Sequence, residues 1–297
     1  MSEKIRNILF KYDVLLNEIL GVAYGTKPSV LYALEDRTVE EFKQIFPNLY
    51  FLNGGYGSNP VDKQNHTPNY AIAKDETTAK DLIEAQNIND HISLGRLLGY
   101  PECCIRNHYN RSFSTGSKEM IIRSCENSKN FSYLLNNIFN FHSRLNDSKE
   151  HFDKFSIYGK QNAYVPRLIS QLELISHIPC SYDCEDSIAI GEEARSLMQE
   201  YFPEETLRIE ATLRKKILFF NMFEWIVFDG DVISKKELRY KDVVWPISLI
   251  DKNFILNLKK GNIIKLLEEN VQVFNNDKHV YTFEHPLRDK GIILDFK

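Results

Sequence analysis

Leu94-Gly-Arg-Leu-Leu-Gly-Tyr-Pro-Glu-Cys-Cys-Ile-Arg-Asn-His-Tyr109 is the stretch of this 297-residue chain from which the architecture is read. Gly99 closes one helix, and Pro101, which lacks an N–H and has φ preset near the helical value, opens the next. Helices are therefore predicted over 90–98 and 101–110, meeting at a sharp corner, with Cys103 and Cys104 in the first turn of the second. There the unpaired N–H groups and the positive end of the helix dipole favour a thiolate, which makes the sulfur a better ligand or nucleophile. His108 lies four residues after Cys104, on the same face.

A second segment repeats that geometry: Ser176-His-Ile-Pro-Cys-Ser-Tyr-Asp-Cys-Glu-Asp-Ser187. Pro179 bars the preceding helix from running on, Ser181 reads as an N-cap, and Asp183, Glu185 and Asp186 read as acidic first-turn residues of a helix over 182–201. Two helix starts thus each present a pair of sulfurs, with His108 and His177 close in sequence. If Cys103, Cys104, Cys180 and Cys184 converge, with or without the histidines, the set suits zinc or an iron–sulfur cluster. Neighbouring helical residues point about 100° apart. That is awkward for two bonds to one small ion and easier for two corners of a larger body, so the adjacent pair tilts the reading toward a cluster. Neither pair has the C-x-x-C spacing of the common zinc patterns. Glu102 and Glu185, each beside a cysteine, are the candidate general bases. Arg96 and Arg106 read as solvated charge, and Cys125, with no such setting, as structural.

Two signatures fail. Pro179-Cys180-x-x-x-Cys184 is one residue too long for the zinc-deaminase half-motif, and the chain has no His-x-Glu. Cys180-x-x-x-Cys184-x-x-Ser187 has serine where the radical S-adenosylmethionine motif needs its third cysteine. The joint pattern, Leu-Gly-Tyr-Pro-x-Cys-Cys followed by His-x-Pro-Cys-Ser-x-x-Cys, resembles domain of unknown function 483 over about residues 90–190. The resemblance implies that Cys103, Cys104, Cys180 and Cys184 belong to one shared feature, and it brings no activity.

Outward from these motifs, periodicity divides the chain into an α+β architecture. A helix is predicted over 3–20 with Gly21 as its stop. Strands at 29–34, 49–52 and 70–73 around a helix at 39–46 make a small N-terminal α/β sheet unit, taken as residues 1–76. Residues 77–215 read as a central helical region: 77–86, the two helices of the corner, 116–145 with a break, 163–176, 182–201 and 204–215. Residues 216–297 read as β-rich. The aromatic and β-branched run 216–228 is strand core, Asp229-Gly-Asp231 is a turn, and further strands are expected at 240–245, 271–274, 280–283 and 292–296, with a helix near 255–269. Gly54-Gly-Tyr-Gly-Ser58 lacks the spacing of a phosphate loop and reads as a connection between strands.

Composition excludes other classes. Forty-three per cent hydrophobic and 12% aromatic residues rule out a disordered chain. The net charge of −4, from 37 basic and 41 acidic residues, gives no pull toward nucleic acid or anionic membrane. No run approaches the roughly 18 apolar residues of a membrane span, and a cytoplasmic location is expected. Five cysteines there are expected to be thiols, ligands or catalytic groups rather than disulfides. The favoured reading is a metalloprotein acting as an oxidoreductase or modifying enzyme on a small molecule or peptide. Its rivals are a metal-free thiol enzyme with Cys104 or Cys184 as nucleophile and His108 or His177 as base, and a non-catalytic protein- or nucleic-acid-binding module with structural metal.

Overall fold

The computed structural model describes residues 16–55, 68–109, 117–139, 173–221, 224–247, 252–285 and 291–297. Residues 3–15 of the expected first helix lie outside it. The part described, α1 (Leu16–Tyr24), runs through Gly21 instead of stopping there. The loop after α1 folds back so closely that a Cβ on Gly21 would meet Lys27 Cβ at 3.1 Å and Thr26 Oγ1 at 3.2 Å. The stop is Gly25, whose φ of 89° is open to glycine but strained for other residues.

Next come β1 (Ser29–Ala33), α2 (Asp36–Ile45), β2 (Tyr50–Asn53) and β3 (Asn69–Ala73). The predicted α/β unit is present in a split form. β3 lies between β1 and β2 and is antiparallel to both, so the two strands joined through α2 are not neighbours.

The central helices follow local signals. α3 (Glu76–Asn87) is capped by Asp75, which accepts from Thr78 N at 2.8 Å, and α4 (His91–Leu97) by Asp90, which accepts from Ile92 N and Ser93 N. Gly99, at φ 74°, ends α4, and Pro101 O accepts the first bond of α5 (Glu102–Tyr109) from Ile105 N. α4 and α5 touch at Gly95, where a Cβ would stand 2.8 Å from Ile105 Cγ1. α6 (Ser117–Asn127) and a 3₁₀ turn (Tyr133–Leu135) take the place of the start of the long broken helix. Residues 163–172 are not described, and residues 173–176, expected to be helical, belong to an irregular loop that runs to Cys184. Its carbonyls are taken up by side chains instead: Pro179 O by Ser124, Cys180 O by Asn127 and His177 O by Asn137.

α7 (Glu185–Tyr201) starts later than the sequence signals suggest, with Cys184 rather than Ser181 at its N-cap. Asp183 cannot serve the helix because its carboxylate accepts from Lys129 N at 2.9 Å and Asn130 N at 3.3 Å. α8 (Pro203–Leu213) follows, with proline in its first turn.

The β-rich end is one seven-stranded antiparallel sheet in the order β10-β4-β5-β6-β7-β8-β9. It comprises β4 (Lys216–Asn221), β5 (Glu224–Ser234), β6 (Glu237–Ile247), β7 (Ile263–Leu266), β8 (Val271–Asn275), β9 (Lys278–Phe283) and β10 (Ile292–Asp295), with α9 (Lys252–Leu258) between β6 and β7. Two expectations are corrected. Asp229-Gly-Asp231 is no turn but the interior of β5, where the register shifts between Asp229 and Gly230 and a Cβ on Gly230 would lie 2.2 Å from Arg239 O. The helix expected over 255–269 ends at Leu258, and the β-branched pair Ile263-Ile264 beyond Gly261 goes into a strand.

Period 2 in β4 and β5 splits two cores. Ile217, Phe219, Trp225 and Val227 face the cluster shared with α1, α7, α8 and the cysteine segments, while Leu218, Phe220, Ile226 and Phe228 face a second cluster with Phe254 and Leu258 of α9. Both faces are covered, which is why the run reads as continuously apolar. Among the described residues, no helix is long and apolar enough to cross a membrane.

Candidate metal centre

The first turn of α5 and the loop leading into α7 meet, and the two cysteine pairs converge. The four sulfurs of Cys103, Cys104, Cys180 and Cys184 lie within 4.8 Å of one another, a group able to hold a metal ion. Cys103 Sγ is 3.9 Å from Cys104 Sγ and 3.6 Å from Cys184 Sγ, and Cys104 Sγ is 3.9 Å from Cys184 Sγ. These are contacts between separate thiols, well beyond the roughly 2.05 Å of a disulfide. Cys104 and Cys184 are buried, Cys180 is half-buried and Cys103 faces solvent.

Without metal the thiols share protons unequally. A hydrogen bond from Cys104 outweighs burial and holds Cys180 down to about 5, with further help from Cys184 and Cys103. Cys103 is pushed up to about 12 by burial, its bond to Cys184 and the charge on Cys180. Cys104 is pushed far up by donating to Cys180 and by burial. A thiolate is thus already welcome among the four.

Around the sulfurs, Cys180 N donates to Cys104 Sγ at 3.3 Å, and Ser187 Oγ stands 3.3 Å from the same sulfur. His177 Nε2 lies 2.9 Å from Ser187 Oγ. His177 therefore sits one residue outside the sulfur group, 7% exposed, and burial holds its ring down to about 3, so it is neutral. His108, in the last turn of α5, lines a cavity of about 280 Å³ that also touches Cys104, Tyr100 and His177. Glu102 points to solvent, where Arg96 and Arg106 grip it at 2.8 to 3.0 Å and hold its carboxyl down to about 2. Arg96 and Arg106 are thus partners of Glu102. Glu185 is exposed in the first turn of α7. Cys125 stands apart from the group, packed on the core and pushed up to about 12 by burial.

Several residues that build the site carry no sequence signal for that role. Asp186 Oδ2 lies 3.7 Å from Cys103 Sγ. Tyr182, fully buried, is anchored through its N–H to Ser128 and its hydroxyl to Asn137 Oδ1, and it packs edge-on against Phe296. Behind Tyr100, whose ring centroid is 4.9 Å from that of His177, runs a buried ion pair. Lys27 pairs with Glu18, Tyr32 OH donates to Glu18 at 2.5 Å, and Lys27 also reaches Ser176 Oγ at 3.3 Å. Ser187 was the findable one, three residues after Cys184 and so on the same helix face.

Residues 72–214 match the family described as "Protein of unknown function (DUF483)", and both cysteine pairs lie inside the matched segment. The match agrees with the resemblance read from the cysteine motifs. No curated protein and no solved structure matches the chain.

Proposed function

Since that family carries no assigned activity, we propose from the site itself that the chain is a cytoplasmic metalloprotein in which Cys103, Cys104, Cys180 and Cys184 hold one tetrahedral zinc ion beside a small-molecule cavity. The observation that carries the reading is the sulfur spacing. Four thiolates at about 2.3 Å from one ion stand about 3.8 Å apart along the tetrahedron's edges. Three of the six separations here, those among Cys103, Cys104 and Cys184, are 3.6, 3.9 and 3.9 Å, and all six lie within 4.8 Å. A four-iron cluster inserts its own iron–iron edges between the thiolates and spreads them well beyond that distance, which disfavours it despite the adjacent cysteines.

The ion would tie the start of α5 to the start of α7, and the positive ends of both helices offset part of the set's net charge of −2. A four-thiolate shell leaves no open coordination position, so its first task is to shape the site. The metal-free rival, read from the sequence with Cys104 or Cys184 as nucleophile, would have to move to Cys180, the thiol held as a thiolate, since Cys104 is pushed up. Metal analysis of freshly purified protein decides between them. One zinc per chain, replaceable by cobalt with tetrahedral d–d and thiolate charge-transfer bands, supports the proposal. Iron with acid-labile sulfide supports a cluster, and absence of metal with one fast-alkylating cysteine supports the thiol enzyme.

Asp186 gives a further expectation. Its carboxylate faces a sulfur that loses its proton when metal binds, and like charges repel. Asp186→Asn is expected to raise zinc affinity about tenfold, the scale of outer-shell changes. Competition against a chromophoric chelator measures it, and an unchanged affinity would mean that solvent screens Asp186 from the centre.

A further inference from the structure

The cavity of about 280 Å³ beside Cys104 has room for roughly nine waters at ~30 Å³ each. One wall is apolar, built from Leu94, Leu98, Ile105, Met120 and Ile178. None of the described lining residues is Asp, Glu, Lys or Arg, so apart from the metal-bound Cys104 and the imidazoles of His91, His108 and His177 the wall offers a charged ligand no partner.

The polar determinant is His177. A metal-bound Cys104 is a thiolate and can only accept, so Ser187 turns its hydroxyl proton toward Cys104 Sγ, 3.3 Å away. The serine oxygen then accepts from His177 Nε2–H, 2.9 Å away. That places the ring proton on Nε2 and leaves Nδ1 as a bare acceptor. Nδ1 has no hydrogen-bond partner among the described residues, on a side chain that is 7% exposed and lines the cavity. A neutral imidazole has one donor and one acceptor nitrogen, and the second here is left over on a ring that lines both this cavity and a smaller one beside Glu18 and Lys27. The other buried polar group on the wall, Asn137, is already spent on His177 O and Tyr182 OH.

We propose that this cavity binds a small uncharged molecule, an apolar ring or chain of about ten non-hydrogen atoms carrying one N–H or O–H that donates to His177 Nδ1. Size and apolar lining set the body of the ligand, and the His177 acceptor sets its orientation among the polar groups of His91, Tyr100, His108 and Ser176 on the same wall. The inference rests on the zinc reading, because the metal-bound thiolate is what fixes the histidine tautomer.

Indole, with one N–H on an apolar bicycle, is the probe. Calorimetric titration of the zinc-loaded full chain is expected to show saturable binding of indole and of 3-methylindole, with 1-methylindole at least tenfold weaker. The 3-methyl compound controls for size. Met120→Trp, which fills the cavity from α6, is expected to lose indole binding at least tenfold while still carrying one zinc per chain, which reports an intact centre. If Met120→Trp loses its zinc, Leu98→Phe serves as the filling variant under the same criterion. No saturable binding of indole by zinc-loaded protein, equal binding of 1-methylindole, or undiminished binding by the filled variant that retains zinc overturns the proposal. Zinc content, read on the same samples, fails separately: zinc-loaded protein that does not prefer indole overturns the cavity proposal alone, and protein that takes up no zinc overturns the zinc reading and with it the tautomer argument.

Discussion

Replacing Cys104 by serine is expected to strip the chain of its metal and to lower its melting temperature by about 10 °C or more. Cys104 is 2% exposed, its sulfur touches Cys184, Cys103 and Ser187, and it takes the N–H of Cys180. A serine hydroxyl there is a far poorer zinc ligand than a thiolate, and the three remaining sulfurs leave the ion one ligand short, too weakly held to stay bound. Binding free energy at a site that exists only in the folded chain is folding free energy. Structural zinc contributes about 10 kcal/mol in isolated zinc-finger peptides, where it organises the entire fold. Here α5 and α7 also bury Cys104, Ile105, Ala194 and Met198, so part of the site survives without metal. A loss of about 4 kcal/mol is the expectation, which at 2–4 °C per kcal/mol for a chain of roughly this size gives the stated shift. Wild type treated with chelator should melt where Cys104→Ser melts, and Cys125→Ser should keep its zinc. Calorimetry with metal analysis checks all three. A chelator-treated wild type that melts unchanged would mean that the metal does not hold the fold.

What was legible follows from how local each signal is. The corner at 91–109 was readable to within a residue because Gly99 and Pro101 act on their own neighbours, through a left-handed stop and a preset φ. The cysteines were readable as one group because two such corners each place a sulfur pair at a helix start. The features that escaped depend on distant partners. Gly21 reads as a stop until the loop carrying Lys27 lies across it. Asp229-Gly-Asp231 reads as a turn until β6 runs alongside and makes Gly230 the one residue that fits against Arg239 O. Ser181 reads as an N-cap, but Asp183 is drawn toward Lys129 and Asn130, more than fifty residues away in sequence, and the helix starts at Cys184. His177 shows the same limit at the site. Its spacing from Cys180 suits a ligand as well as an outer residue, and only the position of Ser187 places it beyond the sulfurs.

The ion pair behind Tyr100 had no sequence signature, and it supports the second large expectation, that Lys27→Met costs about 3 kcal/mol at pH 7. The side chains of Lys27 and Glu18 are 15% and 10% exposed. Burial alone would raise the Glu18 carboxyl, yet the charge of Lys27 and hydrogen bonds from Lys27, Ser176 and Tyr32 outweigh it and hold Glu18 below the usual carboxylate range. Its folded pKa is thus depressed, so the stabilisation is present above the ordinary carboxylate pKa and is lost as pH falls through the lower folded value. Removing Lys27 leaves a buried carboxylate without its counter-charge, which costs about 3–5 kcal/mol in buried pairs. The residual exposure and the Tyr32 and Ser176 bonds put this site at the lower end. In the variant, burial is no longer outweighed, so Glu18 takes up a proton as pH falls toward 5 and escapes the penalty. The gap between wild type and Lys27→Met is therefore expected to be widest at pH 7 and to narrow on acidification. Glu18→Gln combined with Lys27→Met should recover at least half of the loss, because the amide oxygen still accepts from Tyr32 and no charge remains to be neutralised. Urea unfolding of the three proteins at pH 7 and pH 5 measures both effects. A loss under about 1 kcal/mol that does not change with pH would identify the pair as an ordinary surface bridge. The same variant reports on the cavity wall, since Lys27 Nζ lies 5.3 Å from the Tyr100 ring centroid and the Tyr100 ring lies tilted against that of His177. An ion pair built to hold that ring should, when broken, weaken indole binding more than it lowers zinc content.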